Sequence, residues 1–159
     1  MTDASHDGGL VAGNAMKNPF DYGFDIVTTT THKSLRGPRG GMILCRKPFA
    51  KVIDRSVFPG LQGGPHMNAV AALAVTLLKA QGDEFCHYAQ QVLKNAQALA
   101  KALRGHEGHL VTGGTDNHMM VLDTMQTYHL DGRVAEETLD KALITTNRQI
   151  IPDDPNPPF

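Results

Sequence analysis

Tryptophan is absent from this 159-residue chain, cysteine occurs only twice, and neither sign of charge prevails: 15 Lys and Arg stand against 16 Asp and Glu. Each shortage excludes a class. Without a basic excess, the electrostatic footprint of a nucleic-acid binder is missing. With aromatics at 6%, there is little to build a stacking platform for single strands. Cys45 and Cys86 lie far apart and form no CxxC pair, which argues against a disulfide framework or a zinc site. They read as two buried apolar thiols in a reducing compartment. No apolar run approaches the ~18 residues of a membrane span. The opening MTDASHDGG has neither a signal-peptide core nor an Arg-rich amphipathic helix, so cytoplasmic residence is the expectation. The histidines form no metal-ligand pattern, and no metal is expected.

What the chain does have is clear element patterning. Residues 24–30 (FDIVTTT) and 41–46 (GMILCR) read as strands. Residues 48–55 read as a short helix with Pro48 in its first turn. Residues 56–65 (SVFPGLQGGP) read as a glycine- and proline-punctuated loop. A helix is expected over 66–81, with Val70, Leu73, Ala74, Leu77 and Leu78 at helical spacing. A longer one is expected over 84–104, with Phe85, Ala89, Val92, Leu93, Ala96, Leu99, Ala100 and Leu103 as its core face. Beyond Gly108, short strands at 109–112, 118–123 and 144–151 and a helix at 131–142 predict a small α+β unit. The sequence opens straight into Asp3-Ala4-Ser5-His6 and stops at Pro157-Pro158-Phe159, so it reads as an internal piece of a larger chain.

One stretch carries chemistry. TTTTHKSLRGPRGG, residues 28–41, puts a single lysine, Lys33, where strand gives way to a basic glycine-rich turn. Functional side chains often sit at such positions on a rigid scaffold. A lysine becomes a Schiff-base nucleophile when a low-dielectric or cationic setting lowers its pKa. His32, Arg36 and Arg39 are close enough in sequence to supply such charge, and the Thr30 and Thr31 hydroxyls are available to a ligand. A lysine flanking a turn is also the ordinary solvated surface charge, and spacing does not separate the two readings.

The segment DIVTTTTHKSLRGPRGGMI resembles the cofactor-lysine motif of serine hydroxymethyltransferase. SVFPGLQGGPHMNAVAALAV resembles the loop and helix that follow in that family. VTGGTDNHMMVLD resembles the strand pair that opens its C-terminal domain. The three occur in the family's order and spacing. The resemblance implies an α/β fold of the fold-type-I class of pyridoxal-phosphate transferases. Residues 1–83 would be the central part of the cofactor-binding large domain. Residues 84–159 would be the connecting helix and the start of the small α+β C-terminal domain. The implied activity interconverts serine and glycine and passes a one-carbon unit to tetrahydrofolate as co-substrate.

The resemblance also implies roles. Lys33 matches the lysine that takes pyridoxal 5'-phosphate. Asp3 matches the aspartate that pairs with the pyridinium nitrogen, keeping the ring an electron sink. His6 matches the histidine near the phenolic oxygen. Thr30 and His32 match residues beside the cofactor, His32 being associated with substrate specificity, and Arg39 matches an arginine that orders the loop. Gly63 and Gly64 match a turn that reaches the phosphate of a neighbouring subunit's cofactor. That implies a homodimer or tetramer, and glycine suits close backbone approach to an anion.

There are departures. Ala4 and Ser5 fill the DxxH motif where methionine and alanine are usual, and Asp7 adds a carboxylate beside His6. Gln149 and Pro157 stand where folate-contact residues are expected. Parts of the family's active site lie outside the matched segments, so the isolated chain is expected to be inactive. The rival readings are a non-catalytic interaction module and another fold-type-I enzyme such as an aldolase or aminotransferase.

Overall fold

The structure is a computed structural model and describes residues 1–154. The β-branched run becomes β2, Ile26–Thr30, at the centre of a three-stranded sheet. Gly41–Cys45 forms β3 and pairs antiparallel with it, from Ile26 opposite Cys45 to Thr30 opposite Gly41. On the other side lies β1, only Thr2–Asp3, parallel to β2 with Asp3 opposite Thr28. The two-residue period of a strand sorts the threonines between faces. Thr29 and Thr31 are buried at 6% and 1% exposure, in step with Val27, whereas Thr28 and Thr30 lie half-buried on the opposite face.

Between β1 and β2 comes a short helix, α1, Gly8–Ala12. Its Gly-Gly-Leu-Val-Ala sequence has poor intrinsic helicity. Packing holds it instead: Leu10 is fully buried, and a Cβ at Gly9 would overlap the Ser34 backbone and crowd the Leu35 nitrogen at 2.6 Å. Only glycine permits that approach.

Lys47–Arg55 forms α2. The loop expected over 56–65 is only partly a loop. Ser56–Leu61 winds on from α2 as a wide turn that leaves helical geometry at Phe58 and Pro59. The Ser56 hydroxyl donates to the Val52 carbonyl at 2.8 Å, and Gln62 N–H to the Val57 carbonyl at 2.8 Å. These bonds satisfy backbone groups up to and past a proline that has no N–H to give.

Met67–Ala80 forms α3 and Asp83–Gly105 forms α4, close to their expected spans. The apolar stripe of α3 lies largely open: Val70, Leu77 and Leu78 are exposed, and of this helix only Ala80 is buried. The core face expected on α4 is only partly one: Phe85, Ala89, Ala96 and Ala100 are buried, but Leu99 is exposed. Periodicity reports which residues share a face, but burial also needs a partner surface. The buried cluster here is small: Leu35, Ala80 and Phe85, with Ala12 and Tyr88 packed against it.

The chain divides within α4 into two compact units, Met1–Val92 and the residues from Leu93 onward. In the second, Ala96 and Ala100 are buried on α4, and the short α5, Thr124–Tyr128, precedes α6, Gly132–Lys141. The strands expected at 109–112 and 118–123 shrink to one antiparallel bridge, Leu110 to Leu122. Side chains take the backbone groups a ladder would use. Thr112 donates to the Gly114 carbonyl, Thr115 to the Met119 carbonyl, and Asn117 Oδ1 accepts from Met119 N–H. The strand expected at 144–151 is irregular backbone; Ile144 N–H closes α6 on the Leu139 carbonyl, and Leu143 adopts φ 62°. Arg148 then pairs with Glu136 at 3.3 Å.

Cys45 and Cys86 are free thiols, but both are half-buried rather than secluded. No described helix is long and apolar enough to cross a membrane.

Candidate functional site

Because β1 and β2 are parallel, their carboxyl ends open at the same edge of the sheet. Ligands of open parallel sheets bind at that edge, where loops leave the strands. β1 delivers Asp3 and then His6; β2 delivers Thr30 and then Lys33.

Asp3 is the best-defined group. Thr28 Oγ1 donates to Oδ2 at 2.6 Å, and Ser5 N–H donates to Oδ1 at 2.9 Å. The Thr28 bond first, then those from Ser5, hold the Asp3 carboxyl down at about 2, from an ordinary 3.8. Hydrogen bonds to the charged form favour it, and the Lys33 charge adds to the effect. Asp3 is therefore a fixed anion on an exposed edge.

Lys33 is exposed, and its Nζ lies 3.1 Å from His6 Nε2. When the ammonium donates, Nε2 accepts and the ring proton sits on Nδ1. The cationic surroundings read from sequence are arranged differently in space. The Arg36 guanidinium stacks on the Tyr88 ring, 4.7 Å from its centroid. Arg39 Nη1 lies 3.1 Å from His32 Nε2. Gly40 N–H also approaches His32 Nδ1, at 3.4 Å. A neutral imidazole accepts at only one nitrogen, so Arg39 and Gly40 N–H compete for His32, and the tautomer follows whichever bond is made. The group in reach of Lys33 is thus His6 of the neighbouring strand's loop, and His32 lies with Arg39 and Gly40.

The threonine hydroxyls expected to face a ligand are engaged as donors. Thr30 donates to the Ser5 carbonyl at 3.0 Å, so it ties the β1 loop to β2 and keeps acceptor capacity only. Thr31 is buried and donates to the Pro38 carbonyl, closing the Lys33 loop from inside. Backbone bonds finish that closure: Thr31 N–H to Gly40 O, Gly37 N–H to Thr31 O, and Arg36 N–H to Lys33 O.

Gly63 and Gly64 stand apart from this group, on the exposed segment between Leu61 and Met67. Open space surrounds both α-carbons, so nothing steric in the chain demands glycine there. Asp7 occupies the N-cap position of α1. Gln149 is exposed in the irregular segment after α6, and Pro157 lies outside the described residues.

Sequence reasoning missed Thr28, Ser34 and Gly9 as parts of the site. Thr28 is legible only once the parallel register puts it opposite Asp3. Gly9 is legible only once α1 is seen against Ser34.

Chemically, the edge offers a fixed carboxylate, a primary amine and an imidazole within hydrogen-bond reach of that amine. This set suits a ligand with a protonated ring nitrogen for the carboxylate and an aldehyde for the amine. No group of three or more metal-binding side chains occurs among the described residues. The family model of serine hydroxymethyltransferase matches residues 1–159, the whole chain.

Proposed function

The chain belongs to the serine hydroxymethyltransferase family, and from that premise we propose that it carries the lysine-bearing part of an active site interconverting serine and glycine, with tetrahydrofolate as one-carbon acceptor. The observation that carries the reading is the pairing at the sheet edge: Lys33 Nζ 3.1 Å from His6 Nε2, beside an Asp3 carboxylate held ionised by Thr28. That arrangement fits pyridoxal 5'-phosphate. Lys33 would hold it through the amine, and Asp3 would keep a proton on the ring nitrogen. When bound, the cofactor supplies an electron sink for carbanion chemistry at the amino acid's α-carbon. His6 Nε2 holds a proton position next to the lysine amine and can return a proton to Nζ. Arg39 holds the His32 ring, and His32 would orient a substrate. Gly63 and Gly64, free of any Cβ, offer exposed backbone N–H groups suited to a phosphate of a neighbouring subunit's site.

Alone, the chain is proposed to bind the cofactor without turning over serine. Ile43, Leu44, Val75 and Leu78 are exposed on β3 and α3, apolar faces of the kind that further protein covers. The working enzyme is proposed to be a homo-oligomer, dimer or tetramer, in the cytoplasm.

Titration with pyridoxal phosphate tests the reading. The parent chain should develop a visible absorption band that changes on adding serine or glycine, and Lys33→Ala should not. A band of equal strength in Lys33→Ala would overturn it. In an active enzyme that contains this chain, one-carbon transfer that depends on tetrahydrofolate separates this reading from an aldolase or aminotransferase.

A further inference from the structure

Two loops carry the proposed chemistry, and neither is held by the sheet beyond its first residues. Besides the Lys33–His6 contact and the Thr30 bond to Ser5, one residue links their backbones. Ser34 Oγ donates to the His6 carbonyl and accepts from Gly9 N–H at 3.0 Å. Both ends of the turn that bears His6 are therefore tied to the residue that follows Lys33. The same residue is fixed from the opposite side, because Tyr88 Oη on α4 donates to the Ser34 carbonyl at 3.3 Å. Leu35, next along, is buried at 3% in the cluster with Ala80 and Phe85. Arg36 then lies over the Tyr88 ring. In this run Lys33 is the exposed residue between half-buried His32 and Ser34, with anchors on its carboxyl side.

We propose that Ser34 is a positioning residue for the reaction, setting the separation of Lys33 Nζ from His6 through one bridging hydroxyl, with Tyr88 as its brace. The inference rests on the proposed function in that Lys33 is taken as the reacting amine. The hydroxyl is suited to the task because it can donate and accept at once, which a carbonyl and an N–H on either side of one turn require. Removing it takes one hydrogen-bond partner from His6 O and one from Gly9 N–H, and loosens the tie between the turn that bears His6 and the Lys33 loop.

The test uses the whole chain and pyridoxal phosphate as probe. The lysine amine condenses with the aldehyde carbon, water leaves, and borohydride then delivers hydride to the C=N carbon. This leaves a stable secondary amine whose position mass spectrometry reads. Labelling of Lys33 is measured against Lys17 in the same sample, for the parent, Ser34→Ala, Ser34→Thr and Tyr88→Phe. Misplacing a reacting group by about 1 Å can cost on the order of a hundredfold, and a smaller shift costs less. We expect Ser34→Ala to lower the Lys33:Lys17 ratio by about tenfold at a little-changed melting temperature, Ser34→Thr to restore it, and Tyr88→Phe to lower it less. Equal ratios in parent and Ser34→Ala overturn the inference. So does a loss in Ser34→Ala that Ser34→Thr fails to restore, or one that only follows a collapse in melting temperature. A parent chain with no preference for Lys33 removes the proposed function, and this inference with it.

Discussion

Asp3 and Thr28 are register partners across the parallel β1–β2 pair, and the Thr28 hydroxyl donates to the Asp3 carboxylate at 2.6 Å. Backbone pairing and side-chain chemistry coincide at this point, so the anion at the sheet edge is part of the sheet's own construction. Thr28→Val keeps the shape and removes the donor. The Asp3 pKa, followed by carboxyl-carbon NMR, should rise from about 2 toward the ordinary 3.8. The sign for stability follows from a depressed carboxylate. Its contribution is complete above the unfolded value near 3.8 and is lost as pH falls through the folded value near 2. Acid unfolding of Thr28→Val should therefore lack the part of the parent's pH dependence in that window.

Gly9 is where α1 meets the Lys33 loop backbone to backbone. Gly9→Ala should destabilise the fold by about 1–3 kcal/mol, the usual cost of forcing atoms into a packed contact. Urea unfolding measures it. Gly105→Ala, at a helical position with open space around its α-carbon, is the control and should stay within about 0.5 kcal/mol of the parent.

Leu35 anchors the loop on its carboxyl side. Leu35→Ala should cost about 2–5 kcal/mol, the range for truncating a buried leucine. In so small a cluster a loss at the upper end would leave the first unit unfolded, read as loss of cooperative melting.

Gly63→Ala and Gly64→Ala should behave in the opposite way. Nothing lies within 4 Å of a Cβ at either position, so stability should move by less than about 0.5 kcal/mol. If their backbone serves a phosphate in the assembled enzyme, cofactor retention there should fall measurably while melting is unchanged. Unchanged retention in both variants would refute that role.

Much of this was legible in the sequence wherever pattern and partner coincide. The FDIVTTT and GMILCR runs became β2 and β3 because each lies beside the other, joined by a turn that Thr31, Gly37 and Gly40 close. The helical periods gave α2, α3, α4 and α6 within a residue or two. Where a partner is missing, the pattern misled: Leu99 on the expected core face of α4 lies open, and the apolar residues around Leu110, Leu122 and Ile144 do not make strands. Some short elements went unread, α5 among them, and for two of these the reason is plain. β1 is two residues long, too short to alternate, and α1 owes its helix to contacts of Gly9 and Leu10 rather than to propensity. The candidate site divides in the same way. Motif resemblance pointed to Lys33, Asp3 and His6, and the fold brings those three together. That Arg36 turns to Tyr88, and that Thr31 serves the loop's interior, depend on contacts between segments far apart in sequence.

The central claim is that Lys33 is the amine through which this chain holds its cofactor, and the most direct measurement asks which lysine reacts. The chain is incubated with limiting pyridoxal phosphate, reduced with borohydride, digested, and the modified residue located by mass spectrometry. The account predicts label concentrated on Lys33, reduced in Asp3→Asn and absent from that peptide in Lys33→Ala, with no other lysine taking its place. Label spread evenly over Lys17, Lys33 and the helix lysines, unchanged by Asp3→Asn, would contradict it.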